Sequence, residues 1–191
     1  MNKNHAELCS GPEWAAYIQN ELLPSFAAAV DLGRELLEIG PGPGASTEWL
    51  SGRVKRLVAL EVDEVAAQLL GARFAGRNVE VVVGDATAIE FADESFDTVG
   101  SFTMLHHVPT AAAQNKLLAE AHRVLRPGGV LVGSDSLPSV GLHHFHEGDV
   151  YNPVEPASLL TRLQTIGFAE ITVIVDGVLK FIARKAPADA G

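Results

Sequence analysis

Cysteine is nearly absent: Cys9 is the single one among 191 residues. That excludes an internal disulfide framework and suits a reducing compartment. Positive charge is also scarce, with 14 Lys and Arg against 24 Asp and Glu and a formal net charge of −10. No basic stripe runs along the chain, which argues against a nucleic-acid surface. The densest basic cluster, Arg53, Lys55 and Arg56, reads as a solvated loop. No apolar run approaches the ~20 residues that span a bilayer, and the start Met-Asn-Lys-Asn-His carries no signal-peptide core. The expected location is therefore cytoplasmic, with no membrane partner. A Gly-Lys-Ser/Thr phosphate loop and a Tyr-x-x-x-Lys hydride-transfer pair are both missing. Internal repeats are absent, and the Ala-rich stretch 186–191 is expected to be a disordered tail.

What the chain does have is hydrophobic content, 47% of its residues, enough for one well-buried domain. Its most informative stretch is Leu36-Leu37-Glu38-Ile39-Gly40-Pro41-Gly42-Pro43-Gly44, an apolar run carrying an acid and then glycines at alternate positions. The pattern predicts a buried strand that turns tightly and enters a helix at Ala45–Leu50, where backbone N–H groups face a ligand. Gly-x-Gly-x-Gly lacks the third glycine position of the dinucleotide fingerprint. The acid two residues before the first glycine would repel a pyrophosphate but suits an amino group or a sulfonium.

Apolar β-rich runs then alternate with helical patterns, as in a parallel sheet with crossover helices. The expected strands are Glu35–Ile39, Arg56–Glu61, Val79–Val83, Phe96–Ser101 and Gly129–Ser134, and the expected helices are Asp63–Phe74, Thr110–Val124 and Pro156–Ile166. Asp63 and Thr110 are placed as N-caps, and Gly167 as a helix end. Ile171–Val175 and Val178–Ala183, joined by Asp176-Gly177, predict an antiparallel hairpin. Pro12–Val30 reads as one or two helices broken near Pro24, with Trp14, Tyr17, Ile18, Leu22 and Phe26 on an apolar face. It is expected to cover the ligand crevice or an end of the sheet.

Five segments in order, Glu38-Ile-Gly-Pro-Gly-Pro-Gly44, Val58-Ala-Leu-Glu61-Val-Asp63, Val83-Gly-Asp85-Ala86, Ser95-Phe-Asp97-Thr-Val and Leu125-Arg-Pro-Gly-Gly129, resemble the successive motifs of class I S-adenosylmethionine-dependent methyltransferases, of the small-molecule, type 11-like kind. The resemblance covers about Leu36 to Arg184. It implies an α/β, Rossmann-like doubly wound fold: a mostly parallel seven-stranded sheet with one antiparallel strand from the C-terminal hairpin. The organisation it implies is an N-terminal helical cap over 1–30, a cofactor-binding methyltransferase domain over 31–185 and the tail over 186–191.

The resemblance also implies site residues for S-adenosylmethionine. Glu61 ends the second strand, where a carboxylate accepts both ribose hydroxyls, and Asp63 is its rival for that task. Val62 flanks it. Asp85 would accept from the adenine amino group and Ala86 would offer its N–H, although a turn-forming Asp after Gly84 is the competing role. Glu38 and Gly40, with Pro41, Gly42 and Gly44, would hold the methionine end, and Ser101 to Thr103 would line the sulfonium side. Leu60, Ala86 and Phe102 are expected as apolar neighbours of adenine. Asp97 and Arg126-Pro127-Gly128-Gly129 read as structural.

Acceptor chemistry is marked more weakly. His106 matches a position where many small-molecule members carry histidine and is the expected catalytic residue. His107, His143 and Tyr151 are expected at the substrate. The long connection Asp135 to Pro153 reads as a substrate lid. Its His143, His144, His146, Glu147 and Asp149 are adjacent ligands on one loop, a poor closed geometry, so no metal is expected. The Asn/Asp-Pro-Pro-aromatic tetrapeptide that amino-methylating nucleic-acid and protein members of the resembled family often carry after the fourth strand is absent, and Ser101-Phe-Thr-Met-Leu-His106 stands instead. With the acidic balance, this favours a small-molecule acceptor, no nucleic acid, and a monomer or homodimer. The alternatives are a non-catalytic S-adenosylmethionine-binding regulatory or scaffold protein and a nucleotide-dependent oxidoreductase.

Overall fold

The computed structural model describes residues 7–188, so parts of the expected cap (1–6) and tail (189–191) lie outside the described residues. The elements are α1 (Pro12–Tyr17), a π-helical segment (Ile18–Leu22), α2 (Leu23–Ala27), β1 (Glu35–Ile39), α3 (Ala45–Ser51), β2 (Arg56–Glu61), α4 (Glu64–Arg73), β3 (Val79–Val83) and β4 (Phe96–Phe102). A 3₁₀ turn (Leu105–His107) follows, then α5 (Ala111–Val124), β5 (Leu125–Asp135), α6 (Val140–Phe145), α7 (Pro156–Ile166), β6 (Phe168–Asp176) and β7 (Val178–Lys185). The seven strands order as β3-β2-β1-β4-β5-β7-β6. β7 alone runs against the others, pairing antiparallel with β5 and β6. The strand order reverses between β1 and β4, and open α/β sheets bind ligands in the crevice outside the strand C-termini at such a point.

Local chemistry explains the boundaries. Asp63 and Thr110 cap α4 and α5 by accepting from Ala66 N and Ala113 N. Gly167, left-handed at φ 112°, ends α7. The N-terminal helices are not broken at Pro24. Ahead of it the helix widens to a π turn in which Leu23 N–H reaches Ile18 O, five residues back, absorbing the proline's missing donor. Ile18, Leu22, Leu23 and Phe26 then share one buried cluster with Leu36, Leu50, Phe102, Val130 and Val132 on one face of the sheet. The other face carries a larger cluster built from Leu37, Ile39, Val99, Leu131, Leu159 and Phe181 among others.

Two expected strand starts move. β5 begins at Leu125, before the expected Gly129, because Arg126–Gly129 forms an irregularity within the strand opposite Asp97. Asp97 accepts from the backbone N–H groups of Arg34 and Glu35 at 2.8 and 2.9 Å and from Arg126 Nη1 at 2.6 Å. β6 begins at Phe168, before the expected Ile171, with a bulge at Glu170, whose φ is +46°. The expected lid contains α6, capped by Ser139 accepting from Leu142 N. Arg56 belongs to β2 and pairs with Glu80 at 2.7 Å, so it is no free loop cation. Cys9 is partly buried, which pushes its thiol up to about 11 and makes it a poor nucleophile.

Candidate functional site

The glycine loop joins β1 to α3 at the carboxyl edge of the sheet. Gly40, Gly42 and Gly44 all have positive φ, at 65°, 52° and 88°. A Cβ on Gly40 would stand 2.1 Å from Met104 Cγ and one on Gly44 2.6 Å from Leu70 Cδ1, whereas one on Gly42 would meet nothing within 4 Å. Gly40 and Gly44 are thus packed against protein, and Gly42 faces open space. Glu61, at the end of β2, reaches this loop: Oε2 accepts from Gly42 N at 3.3 Å and Oε1 from Asp63 N at 3.1 Å. A carboxylate oxygen has two acceptor directions, so each can accept one more donor. Val62, beside it, is 72% exposed. Asp63 spends its side chain on the α4 cap.

Glu38 lies deeper. It is buried and accepts from the hydroxyls of Ser46 and of Thr47 at the start of α3. Burial pushes its carboxyl up to about 7, with the nearby Glu61 charge acting in the same direction and the two hydroxyls against it. Any influence of Glu38 on a cationic ligand group is therefore exerted from behind Ser46 and Thr47. Ser101 Oγ on β4 and Ser134 Oγ on β5 are buried without a hydrogen-bond partner among the described residues, polar atoms that a ligand at this edge can satisfy.

Asp85 follows β3 and is exposed, its Oδ1 accepting from Thr87 N at 2.8 Å in a turn. Beside it a cleft of about 370 Å³ is lined by Leu60, Val82, Gly84, Asp85, Ala88 and Phe91. Leu60 lines the cleft and Ala86 packs against the same hydrophobic cluster as Leu60. Phe102 does not join them. Residues alternate faces along β4, so with Val99 in one cluster Phe102 falls in the other, its ring 5.7 Å from Phe26. The structure thus does not bring Phe102 together with Leu60 and Ala86.

At the ends of β4 and β5 the histidines gather. His106 is buried, its backbone N–H donating to Asp135 Oδ2 at 3.0 Å and its Nδ1 standing 2.5 Å from Asp135 Oδ1. Ser136 N also donates to Asp135 Oδ1, at 2.7 Å. With backbone donors on both oxygens, the carboxylate acts as acceptor and His106 Nδ1 as donor. His107, His146 and Tyr151 surround the His106 ring, at centroid distances of 4.2, 5.0 and 5.8 Å. His146 stacks on Tyr151 at 4.4 Å. Burial, then the Asp135 charge, raises the Tyr151 hydroxyl's pKa.

The loop histidines thus separate. His146 is buried beside His106 and the half-buried His107, while His143 and His144 stay exposed, His144 against Glu147. His143 stands at the rim, its ring 6.1 Å from Tyr151. Among the described residues, His106, His107 and His146 can each bring one ligand atom within 4.8 Å of the others. The grouping considered along the loop is replaced by one that crosses it to the turn after β4.

Sequence reasoning missed Asp135, Gln114 and Asn152. Gln114 is buried on α5 and donates to Leu105 O at 3.0 Å and Asn152 O at 2.8 Å. Asn152 N donates to His106 O at 2.7 Å, and its side chain to Val108 O at 3.0 Å. Asp135 carried a usable signal, since an acid closing an apolar strand also marks Glu61. Gln114 and Asn152 carried none.

Comparisons with known proteins bear on the family and the fold. A family profile described as a methyltransferase domain matches residues 37–133. A probable S-adenosylmethionine-dependent methyltransferase of Mycolicibacterium smegmatis is 31% identical over 143 residues, 71% of this chain and 52% of that protein. A probable ribosomal RNA small subunit methyltransferase A of Methanosarcina barkeri is 40% identical over 82 residues, 41% of this chain and 28% of that protein. The chain spans about half the length of the first of these relatives and less of the second. The structure of Haemonchus contortus phosphoethanolamine N-methyltransferase 2 with phosphomonomethylethanolamine and S-adenosylhomocysteine shares the fold. Its TM-score is 0.75 at 16% identity, over 96% of this chain and 57% of that one. With the motif order, the sheet order and the profile match in agreement, the chain belongs to the class I S-adenosylmethionine-dependent methyltransferases.

Proposed function

We propose that this chain methylates a small-molecule acceptor held against His106, His107, His146 and Tyr151, using S-adenosylmethionine held along the edges of β1, β2 and β3. The observation that carries the reading is Glu61, fixed by two backbone N–H groups beside the open side of Gly42. In this reading Glu61 accepts the ribose hydroxyls with Val62 alongside. Asp85 and Ala86 take the adenine edge. Glu38, Gly40, Pro41, Gly42 and Gly44 form the methionine end, and Ser101 faces the sulfonium side.

S-adenosylmethionine supplies a methyl on a sulfonium, whose carbon–sulfur bond breaks with its electron pair going to sulfur as the acceptor's bond to carbon forms. The protein's task is mainly alignment, worth roughly 7–11 kcal/mol in well-oriented reactions. His106, braced by Asp135, is the residue through which the acceptor loses its proton. His143 meets substrate only at the rim.

A net charge of −10 and an acceptor wall of imidazoles and a phenol support a small acceptor over a nucleic acid. The ribosomal RNA enzyme named above shares less than half of this chain, so its substrate is not carried over. Among the described residues, no helix is long and apolar enough to cross a membrane. We read the protein as cytoplasmic, a monomer or homodimer, with no nucleic-acid or membrane partner.

A labelled-methyl transfer screen over metabolite pools tests the reading and reveals the acceptor. Glu61→Ala should weaken S-adenosylmethionine binding in calorimetry by about 1.5–3 kcal/mol, the worth of a charge-assisted hydrogen bond. His106→Ala should lower turnover about 10²- to 10⁴-fold while cofactor affinity stays nearly constant. Tight cofactor binding with no label transferred to any pool would make the chain a cofactor-binding scaffold and end the proposal.

A further inference from the structure

We propose that His106, His107 and His146 form a binding site for one zinc-class divalent transition-metal ion. The three residues come from two separate segments, the 3₁₀ turn after β4 and the C-terminal end of α6, and each can offer a ligand atom within 4.8 Å of the other two. An ion bound tetrahedrally at about 2.0–2.1 Å from each imidazole nitrogen puts neighbouring nitrogens about 3.3 Å apart. Side-chain rotations of about an ångström close the set.

Two of the three rings already have the tautomer that a ligating imidazole needs. His146 Nδ1 stands 2.7 Å from Leu142 O, and a carbonyl oxygen only accepts, so Nδ1 is the protonated nitrogen and Nε2 carries the lone pair. His106 Nδ1 is held by Asp135 in the same sense. A ligating imidazole that donates its other N–H to a carboxylate or a backbone carbonyl is the arrangement that fixes tautomer and ring orientation at protein metal sites. Both Nε2 atoms are buried. Asp135, itself fully buried, supplies negative charge against a buried dication.

Three neutral imidazoles favour zinc and its neighbours over magnesium or calcium, which take oxygen ligands. A three-ligand set leaves a fourth position for water or for a heteroatom of the acceptor. The identity of that fourth ligand rests on the methyl-transfer reading, and with the ion bound His106 Nε2 is a ligand, so the proton-accepting role given to His106 above belongs to the metal-free protein; the site itself stands on its own geometry.

The test uses the full chain without a histidine tag, stripped by chelator and titrated with Zn²⁺ in calorimetry and with Co²⁺ as an absorbing probe. One ion per chain is expected, and the Co²⁺ form should show the visible bands of a low-coordinate nitrogen site. His107→Ala and His146→Ala should each weaken binding at least 100-fold, and Asp135→Asn about 10- to 100-fold. His144→Ala, altering an exposed side chain outside the cluster, should leave affinity unchanged. Circular dichroism confirms that each variant is folded. Substoichiometric binding, or equal affinity in wild type and folded His146→Ala, overturns the site. S-adenosylmethionine affinity, measured on the same samples, keeps the two proposals apart: metal without cofactor binding fells only the methyl-transfer reading, and cofactor without metal fells only this one.

Discussion

Glu38 is a carboxyl group with three claims on it: a dry surrounding, two hydroxyl donors and a like charge at Glu61. Because burial raises its folded pKa to about 7 from 4.5, its contribution favours folding below pH 4.5 and is lost as pH rises toward about 7. The upper bound on that loss is about 3 kcal/mol, at 1.36 kcal/mol per pKa unit. Denaturant melts of wild type and Glu38→Gln between pH 4.5 and 8 should show a shallower decline for the variant; parallel curves would refute it. At this scale the sequence displayed the acids and histidines that end strands, and Asp63 as a cap, because those roles are local. Asp135 was missed and His146 was grouped with its loop neighbours, since the contact between them runs through His106 and exists only once β4 and β5 lie side by side.

Strands and helices were legible wherever hydrophobic period and capping agreed, as in β1 to β3, α5 and α7. They were displaced where a tertiary contact overrode turn chemistry. Pro127, Gly128 and Gly129 look like a turn, yet Asp97 and Arg126 hold that stretch inside β5. The π turn before Pro24 is the same lesson in a helix. The glycine loop yields the prediction for this scale. Gly42→Ala adds a methyl into open space at a strained φ, so the protein should still fold, with a stability loss of about 1–2 kcal/mol, while S-adenosylmethionine affinity falls in calorimetry. Gly40→Ala collides with Met104 and should lose considerably more stability in the same melts.

For the molecule as a whole, the sheet is a wall with a separate hydrophobic cluster on each face, and the N-terminal helices belong to one of them. Phe26 is 3% exposed and touches Phe102 across that cluster. Phe26→Ala should therefore cost about 3–5 kcal/mol in chemical denaturation; a change below about 1 kcal/mol would mean that these helices are an appendage. The fold class and an antiparallel C-terminal hairpin strand followed from the alternation of patterns, the motif resemblance and the Asp176-Gly177 turn, whereas the order of the strands was seen only in the structure. The packing of residues 140–153 did not, because it depends on Gln114 and Asn152, ordinary amides in any reading of the chain.

Those amides have a mechanical consequence. Asn152 is tied to His106 O, Val108 O and Gln114 Nε2 by three hydrogen bonds, so the stretch behind α6 is stitched to the turn that carries His106. Swinging that stretch outward unpicks the seam and pulls on the His106 backbone in the same movement. In the proposed reading, traffic of an acceptor past Tyr151 and the integrity of the imidazole trio become one mechanical event, and slackening the seam at Asn152 should loosen both together.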